Sequence, residues 1–238
     1  MEGKAKYSTL SNKKIKEYLQ EERIVIEPYN ERQLGMNSYD VTLGEYYYKE
    51  SYTPYKEEYY NIYSEKEVER VWGEKAERAL TRKEYNRKNC AYLDQELENI
   101  SEKDKLIIIG PGETILAHTQ EYIGGRGSVT TKMYSRSSLG RNFIEVCKCS
   151  GLGDCGYINR WTMEITNNSK YRHIILVVGR RIAQIVFMET DGVIDKTYEE
   201  KGKYQKEKEL KKLKEKWEPK DMLPKMYLDY EVKELKKN

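Results

Sequence analysis

Polar residues that could do chemistry are concentrated between positions 136 and 164. Residues 136–141 read Arg-Ser-Ser-Leu-Gly-Arg, and guanidinium groups, hydroxyls and backbone amides are the groups that bind phosphate oxygens. Asp154 stands beside Gly156 in a predicted turn, and Glu164 follows on a predicted strand. The order and spacing of these groups predict phosphate binding, a contact to a sugar and a base for proton transfer.

The alternation of residue types around Glu164 predicts where its side chain points. A strand here places two sets of side chains on opposite faces: Trp161, Met163 and Ile165 on one, and Thr162, Glu164 and Thr166 on the other. If the apolar set packs in the core, Glu164 projects from the other face, toward solvent or a cleft. Burial beside an apolar neighbour would bring the pKa of such a carboxyl closer to neutrality, which suits a general base.

Composition limits the classes of protein that fit. The 238 residues suit one domain with appendages, and a net charge of +3 among 35% charged residues argues against general nucleic-acid binding. No apolar run is long enough to span a membrane. The four cysteines, without a signal-peptide pattern, indicate reduced thiols in a cytoplasmic protein.

The elements that would position these groups are mainly strands. Ser11 is a predicted N-cap of a first helix, and Ser64 begins a predicted amphipathic helix over 64–88. From 105 to 190, short apolar runs alternate with glycine-rich turns, which predicts a barrel or a jelly-roll-like sandwich. The charged tail over 199–238 contains a predicted solvated helix at 211–216.

The motifs occur in the order found in one enzyme family. The matching residues are Arg136-Ser137-Ser138 with Arg141, Asp154 with Gly156-Tyr157, Met163-Glu164, Gly179, and Ala183-Gln184-Ile185-Val186-Phe187. Weaker matches are Ser38-Tyr39-Asp40-Val41-Thr42-Leu43-Gly44, Pro111-Gly112-Glu113 and Gly202-Lys203-Tyr204-Gln205. With these motifs the chain resembles the dCTP deaminases of the dUTPase-like superfamily, as a viral or otherwise divergent member.

The resemblance implies a fold and an assembly. We expect a mainly β, dUTPase-like (β-clip or jelly-roll-like) barrel with added peripheral helices, assembled as a homotrimer with sites between subunits. The deaminase domain would cover residues 1–198, with a helical insertion at about 60–100. The charged tail, 199–238, would form part of a lid over the active site.

The resemblance also implies roles for individual residues. Glu164 would be the general base, Ser137 would position the attacking water, and Arg141 would pair with polar groups of the site. Asp154 would be the carboxylate on the sugar side of the bound nucleotide. The expected nucleotide-binding residues are Arg136, Ser137, Ser138, Arg141, Asp154, Tyr157, Thr162, Met163, Glu164, Gln184, Tyr198, Lys203 and Tyr204.

The implied activity is hydrolytic deamination of dCTP to dUTP and ammonia in the cytoplasm, or in the host cytoplasm if the source is a virus. Magnesium would enter on the nucleotide phosphates. No zinc is expected, since the His-x-Glu and Pro-Cys-x-x-Cys signature of zinc deaminases is missing. Nucleic acid and membranes are not expected partners.

Two alternatives stay open at this stage. The first is dUTP diphosphatase, or a bifunctional enzyme that forms dUMP. The second is a non-catalytic nucleotide-binding regulator. It is kept open by Cys155, which replaces a usual proline, by Glu207, which stands where a glutamine commonly contacts phosphate, and by the added helices. Asn159, where a glycine is usual, is a further departure from the family pattern.

Overall fold

The computed structural model describes residues 9–51, 59–89, 97–148, 151–193, 196–205 and 207–235. Within these ranges the strands are β1 (Ile24–Glu27), β2 (Tyr39–Lys49), β3 (Glu77–Arg78), β4 (Leu80–Thr81), β5 (Lys105–Ile109), β6 (Thr114–Gly125), β7 (Val129–Ser135), β8 (Ile144–Val146), β9 (Leu152–Gly153), β10 (Ile158–Asn167), β11 (Ile174–Val177) and β12 (Arg181–Glu189). The helices are α1 (Asn12–Gln20), α2 (Glu65–Trp72), α3 (Arg82–Asn89), α4 (Ser137–Gly140), α5 (Tyr198–Lys201), α6 (Leu210–Lys216) and α7 (Tyr230–Leu235). The expectation of a mainly β protein with peripheral helices is confirmed.

Two antiparallel sheets enclose the core. The larger one runs in the order β8-β10-β6-β2-β12-β7-β9, with β1 added beside β6 and β3 beside β2; the smaller one runs β11-β5-β4. Strand β2 pairs with β12 through residues 39–42 and with β6 through residues 43–49. The long strand β6 therefore lies between β2 and β10, and β10 carries the predicted base.

Apolar side chains from both sheets and from α1 fill one main core. Ile107, Ile109, Ile115, Met163 and Phe187 are fully buried in it. Helix α1 begins as predicted: the Ser11 hydroxyl accepts a hydrogen bond from the backbone N–H of Lys14 at 3.5 Å. Its buried residues Ile15 and Tyr18 close one side of the core.

The prediction of one helix over 64–88 is wrong. Ser64 does cap α2, since its hydroxyl accepts from the backbone N–H of Glu67 at 3.4 Å. The helix ends at Trp72 because Gly73 has a φ of +89°, a left-handed conformation that favours glycine. The short strands β3 and β4 follow before α3. The apolar residues between 76 and 80, whose spacing fits a helix, therefore lie in an extended part of the chain.

Residues 207–228 pack on the rest of the molecule, although their many charged side chains predict a solvated segment. We call residues 207–228 the C-terminal segment. Its helix α6 was predicted at 211–216, and Leu213 within it is buried. Met222 and Leu223 join a second apolar cluster with Tyr48, Val68 and Leu116 on the outer face of the large sheet. Among the described helices, none is long and apolar enough to cross a membrane.

Candidate active site

A cavity of about 330 Å³ lies over the outer face of β10. Its lining residues are Leu116, Leu152, Asp154, Tyr157, Asn159, Arg160, Trp161, Thr162, Glu164, Tyr198, Tyr204, Trp217, Asp221, Met222 and Pro224. Six of the predicted site residues are in this set: Asp154, Tyr157, Thr162, Glu164, Tyr198 and Tyr204. The wall facing them comes from the C-terminal segment.

Strand β10 supplies the floor of the cavity. Trp161, Met163 and Ile165 are buried, as the alternation predicts. The opposite face carries three cross-strand pairs between β10 and β6: Arg160 with Tyr122, Thr162 with His118, and Glu164 with Leu116. An irregularity between Arg160 and Thr162 interrupts the register, and such bulges re-aim side chains beside functional sites.

The surroundings of Glu164 favour the uptake of a proton by its carboxylate. Its Oε2 is buried and has no hydrogen-bond partner among the described residues. Burial is the main cause that raises the pKa of this carboxyl above its ordinary value, because no cation offsets the loss of solvent. Backbone contacts fix the strand here, where the N–H of Cys147 donates to the Glu164 carbonyl at 3.0 Å.

The turn after Asp154 holds its shape without proline. The backbone N–H of Tyr157 donates to the Asp154 carbonyl at 2.9 Å, and Gly156 has a φ of +93°. Positive φ at the third position is the requirement of a type II turn, and Cys155 occupies the second position, where proline is common but not needed. The turn leaves Asp154 exposed at the cavity rim.

Tyrosines form the wall beside this turn. The Tyr157 ring lies 5.2 Å from the Trp161 ring and 5.1 Å from the Tyr198 ring, both edge-to-face. Burial raises the pKa of Tyr157, so its hydroxyl stays protonated. Tyr204 closes the same side, and its hydroxyl accepts from the backbone N–H of Lys225 at 3.1 Å.

Gln205 is anchored at the start of β10. Its side chain is buried, and its Oε1 accepts from the Ile158 backbone N–H at 2.7 Å. Its Nε2 donates to the carbonyls of Gly156 at 3.3 Å and Glu207 at 3.1 Å. Beside it, Asn159 Nδ2 donates to the Tyr204 carbonyl at 3.1 Å. Asn159, a departure from the family pattern, thus joins the tail to the cavity floor.

The basic loop predicted to bind phosphate lies outside this cavity. Ser137, Ser138 and Arg141 are exposed on and just after α4. Arg136 points toward β2, with its Nε 3.5 Å from the Asp40 carboxylate, which Arg181 also contacts at 2.9 Å. One chain therefore does not bring the loop and Glu164 together.

Three further predicted residues do not line the cavity. Gln184 lies on β12, paired with Asp40 and Tyr134. Met163 is fully buried in the core, so its side chain cannot reach the cavity. Lys203 pairs with Asp229 at 2.5 Å.

Glu207, which raised doubt about the phosphate contacts, pairs with Lys216 and is not among the lining residues. In this arrangement its carboxylate does not oppose an anion in the cavity.

Arg160 and Trp217 are cavity residues that the sequence analysis missed. Arg160 has the same strand parity as Glu164, so extending the alternation by two residues would have found it. No local sequence pattern indicates that Trp217 lines the cavity, because it reaches the cavity only when the charged tail folds back onto the large sheet.

His118 lies beneath Trp217 and is uncharged. Burial lowers its pKa to about 4, its Nδ1 hydrogen-bonds to the Thr119 carbonyl at 2.8 Å, and its Nε2 accepts from the Tyr46 N–H at 3.3 Å. The ring lies so close to Gly44 that a Cβ there would come within 2.1 Å of it. Glycine at position 44 therefore makes room for the imidazole.

The described residues contain no group of three or more His, Cys, Asp or Glu side chains that could hold a metal ion. Of the cysteines in the described ranges, Cys147 and Cys155 are free thiols. Burial, and secondarily the Glu164 charge, raises the pKa of Cys147 to about 12, so this thiol stays protonated.

Comparisons with known proteins agree with the motifs. Residues 9–190 match the dCTP deaminase-like family. A Methanococcus maripaludis protein named "dCTP deaminase, dUMP-forming" is 30% identical over 205 residues, covering 83% of this chain and 88% of its own. A protein of the same name from Methanosphaera stadtmanae is 31% identical over 191 residues, covering 79% and 83%.

The fold is also similar to a solved deaminase. The crystal structure of 2'-deoxycytidine 5'-triphosphate deaminase from Agrobacterium tumefaciens matches with a TM-score of 0.51 and 15% identity, over 80% of this chain. This chain covers 50% of that one, and at this identity the match shows the fold alone. The match over 9–190 and the methanogen relatives show that this chain belongs to the dCTP deaminase-like family.

Proposed function

We propose that this protein deaminates dCTP, with Glu164 as the general base. The observation that carries the proposal is the unpaired, buried Oε2 of Glu164 in a cavity that also contains Asp154 and Tyr157. A carboxylate without a cation partner keeps its proton affinity, and the raised pKa brings it nearer the operating pH.

In the proposed reaction, Glu164 takes a proton from a water molecule whose oxygen attacks C4 of the cytosine ring. The new C4–O bond forms, and the proton passes by way of Glu164 to N3 of the ring. The proton of the added hydroxyl then moves to the amino group, so that the C4–N bond breaks, ammonia leaves and a carbonyl remains at C4. The apolar side of Leu116 and the wall from the C-terminal segment exclude bulk water, which strengthens interactions with the developing charge.

Asp154 and Tyr157 suit the sugar. The exposed Asp154 carboxylate at the rim can accept a hydrogen bond from a sugar hydroxyl, and the Tyr157 ring offers an apolar surface beside it. In this proposal the sugar lies between the pyrimidine ring, which is next to Glu164, and the phosphates, which lie toward the rim of the cavity.

The product that we favour is dUMP. Deamination to dUTP alone was the first expectation from the sequence, and the bifunctional reaction was its alternative. The methanogen relatives are named dUMP-forming. Asp154 lines the same cavity as Glu164, so it could direct a second water at the first phosphorus of a bound dUTP. The bond from that phosphorus to the bridging oxygen then breaks, diphosphate leaves and dUMP remains.

A homotrimer would complete the site. The Arg136–Arg141 loop carries the phosphate-binding groups but lies outside the cavity of its own chain. Its exposed serines and Arg141 are available to a neighbouring subunit. We propose that the loop of one subunit binds the triphosphate held in the cavity of the next.

Magnesium would enter bound to the nucleotide phosphates and neutralise part of their charge. A metal carried by the substrate needs no ligand set from the protein. Arg136 and Arg141 would supply the remaining positive charge.

The test is incubation with dCTP and magnesium, followed by chromatographic separation of dCTP, dUTP and dUMP. We expect dUMP to form, and turnover to fall by roughly a hundredfold or more in Glu164→Gln. Chelation of magnesium should lower the rate. The matched control is Glu102→Gln, at an exposed loop position, which should keep the wild-type rate.

The outcomes separate the parts of the proposal. Accumulation of dUTP without dUMP would limit the reaction to deamination. Unchanged dCTP with the wild-type protein, or near wild-type turnover in Glu164→Gln, would refute the deaminase assignment or the role of the base, respectively.

A further inference from the structure

A guanidinium group is held between two aromatic rings in the Glu164 cavity. The Arg160 Cζ lies 5.0 Å from the Tyr122 ring centroid and 4.6 Å from the Trp217 ring centroid. Its Nε is buried and has no hydrogen-bond partner within the described part of the chain. Because a buried donor without an acceptor destabilises the free protein, a ligand oxygen at this point would remove the penalty.

The ring that holds Arg160 is itself fixed. Trp217 follows α6, and its backbone N–H donates to the Leu213 carbonyl at 3.0 Å. Its ring packs 4.7 Å from the ring of His118, which is uncharged and therefore does not repel the guanidinium strongly. Further along the segment, the buried Met222 anchors the chain in the outer apolar cluster.

The position of Arg160 fits the length of a nucleotide. Arg160 and Glu164 line the same cavity from one face of β10, four residues apart. At about 3.3 Å per residue, their backbones are about 13 Å apart. With C4 of a pyrimidine at Glu164, the ring carbonyl, sugar and first phosphate extend over this distance. The Nε–H of Arg160 would then meet an acceptor oxygen of the substrate.

We propose that Arg160 is a substrate-binding residue and that Trp217, supplied by the C-terminal segment, is the positioning residue that holds it. Trp217 acts through Arg160: its ring stacks on the guanidinium and keeps the Nε–H directed into the cavity. This inference rests on the proposed function, and it makes the tail part of substrate recognition.

The experiment measures dCTP binding by calorimetry in the Glu164→Gln background, in which turnover is slow. We expect Arg160→Ala to raise the dissociation constant about tenfold, which corresponds to about 1.4 kcal/mol. Trp217→Ala should weaken binding by a similar factor, while Trp217→Phe, which keeps an aromatic face, should restore most of the affinity. The double variant Arg160→Ala/Trp217→Ala should bind about as weakly as Arg160→Ala alone.

Non-additivity is the decisive observation, because two independent losses would multiply. Trp72→Ala is the control for packing: Trp72 packs against the same outer cluster but does not line the cavity. It should lower the melting temperature and leave dCTP affinity unchanged. Additive losses, or full affinity in Arg160→Ala, would overturn the inference.

The remaining outcomes separate the two proposals and identify the oxygen. If the Glu164→Gln protein binds no dCTP at all, the proposed function fails and this inference fails with it. Wild-type affinity in every Arg160 and Trp217 variant overturns the inference alone. Repeating the titration with dCMP locates the acceptor: the tenfold effect persists if it belongs to the base, sugar or first phosphate, as the geometry indicates, and its loss would contradict that placement.

Discussion

Replacing Glu164 by glutamine should stabilise the protein at neutral and alkaline pH although it removes the proposed base. Oε2 of the wild-type carboxylate is buried and unpaired among the described residues, and burial raises the pKa of this group. An unpaired buried polar group costs about 1–3 kcal/mol. Since the glutamine amide also lacks a partner for part of its hydrogen-bonding capacity, we expect a net gain in the free energy of unfolding of about 1 kcal/mol.

The sign of the pH dependence follows from the direction of the pKa shift. A carboxyl whose pKa is higher in the folded state than in the unfolded state binds its proton more tightly when folded. The wild-type protein therefore loses stability as pH rises from about 4.3, the ordinary pKa of glutamate, through the folded-state pKa. Glutamine does not titrate, so the advantage of Glu164→Gln should be complete above this window and vanish below it.

Differential scanning calorimetry at equal protein concentration, from pH 4 to pH 8, would measure the effect. A gain of about 1 kcal/mol corresponds to an increase in melting temperature of about 2–4 °C for a chain of this size. Glu102→Gln, at an exposed loop position, is the matched control and should leave the melting temperature close to that of the wild type. An equal gain at every pH, or a loss of stability at pH 8, would refute the picture of Glu164 as a desolvated, unpaired carboxylate.

Two further substitutions test how the cavity is built. Gln205→Ala removes three hydrogen bonds to backbone groups and should cost about 2–4 kcal/mol; limited proteolysis should then cleave the tail faster, and unchanged protection would contradict the anchoring role. Cys155→Pro should keep the turn and stabilise it by about 0.4–1 kcal/mol, because proline restricts the unfolded chain. A lower melting temperature in that variant would mean that the backbone at 155 does not fit proline.

Local sequence patterns predicted the strands and helices in which buried and exposed side chains alternate regularly along the chain. The alternation around Glu164 correctly placed Met163 and Ile165 in the core and Thr162 and Glu164 at the cavity, because adjacent strand side chains must point to opposite sides. Trp161 is buried on the core side and also lines the cavity. Helical spacing failed over 64–88, where Gly73 ends α2 and tertiary pairing draws the next residues into short strands. The positive φ of Gly73 ended the helix although the apolar residues after it continue the helical spacing.

The composition of the site was harder to predict. Asp154, Tyr157 and Glu164 were found because they are close in sequence and belong to a recognisable pattern. Trp217 could not be found, since it reaches the cavity through contacts between residues about a hundred positions apart, and no local pattern encodes them. The role proposed for Arg136 could not be placed in one chain either, because its loop lies elsewhere on the surface.

The separation of the basic loop from Glu164 has a consequence for mixed assemblies. When one subunit supplies the loop and its neighbour the base, two inactive variants can complement each other. In the proposed trimer, Arg136→Ala and Glu164→Gln, each expected to be nearly inactive alone, would form hybrids after joint denaturation and refolding. Random assortment would leave about a quarter of the sites with both groups intact. Recovery of activity from two inactive preparations would thus show that each active site is formed by residues of two neighbouring subunits.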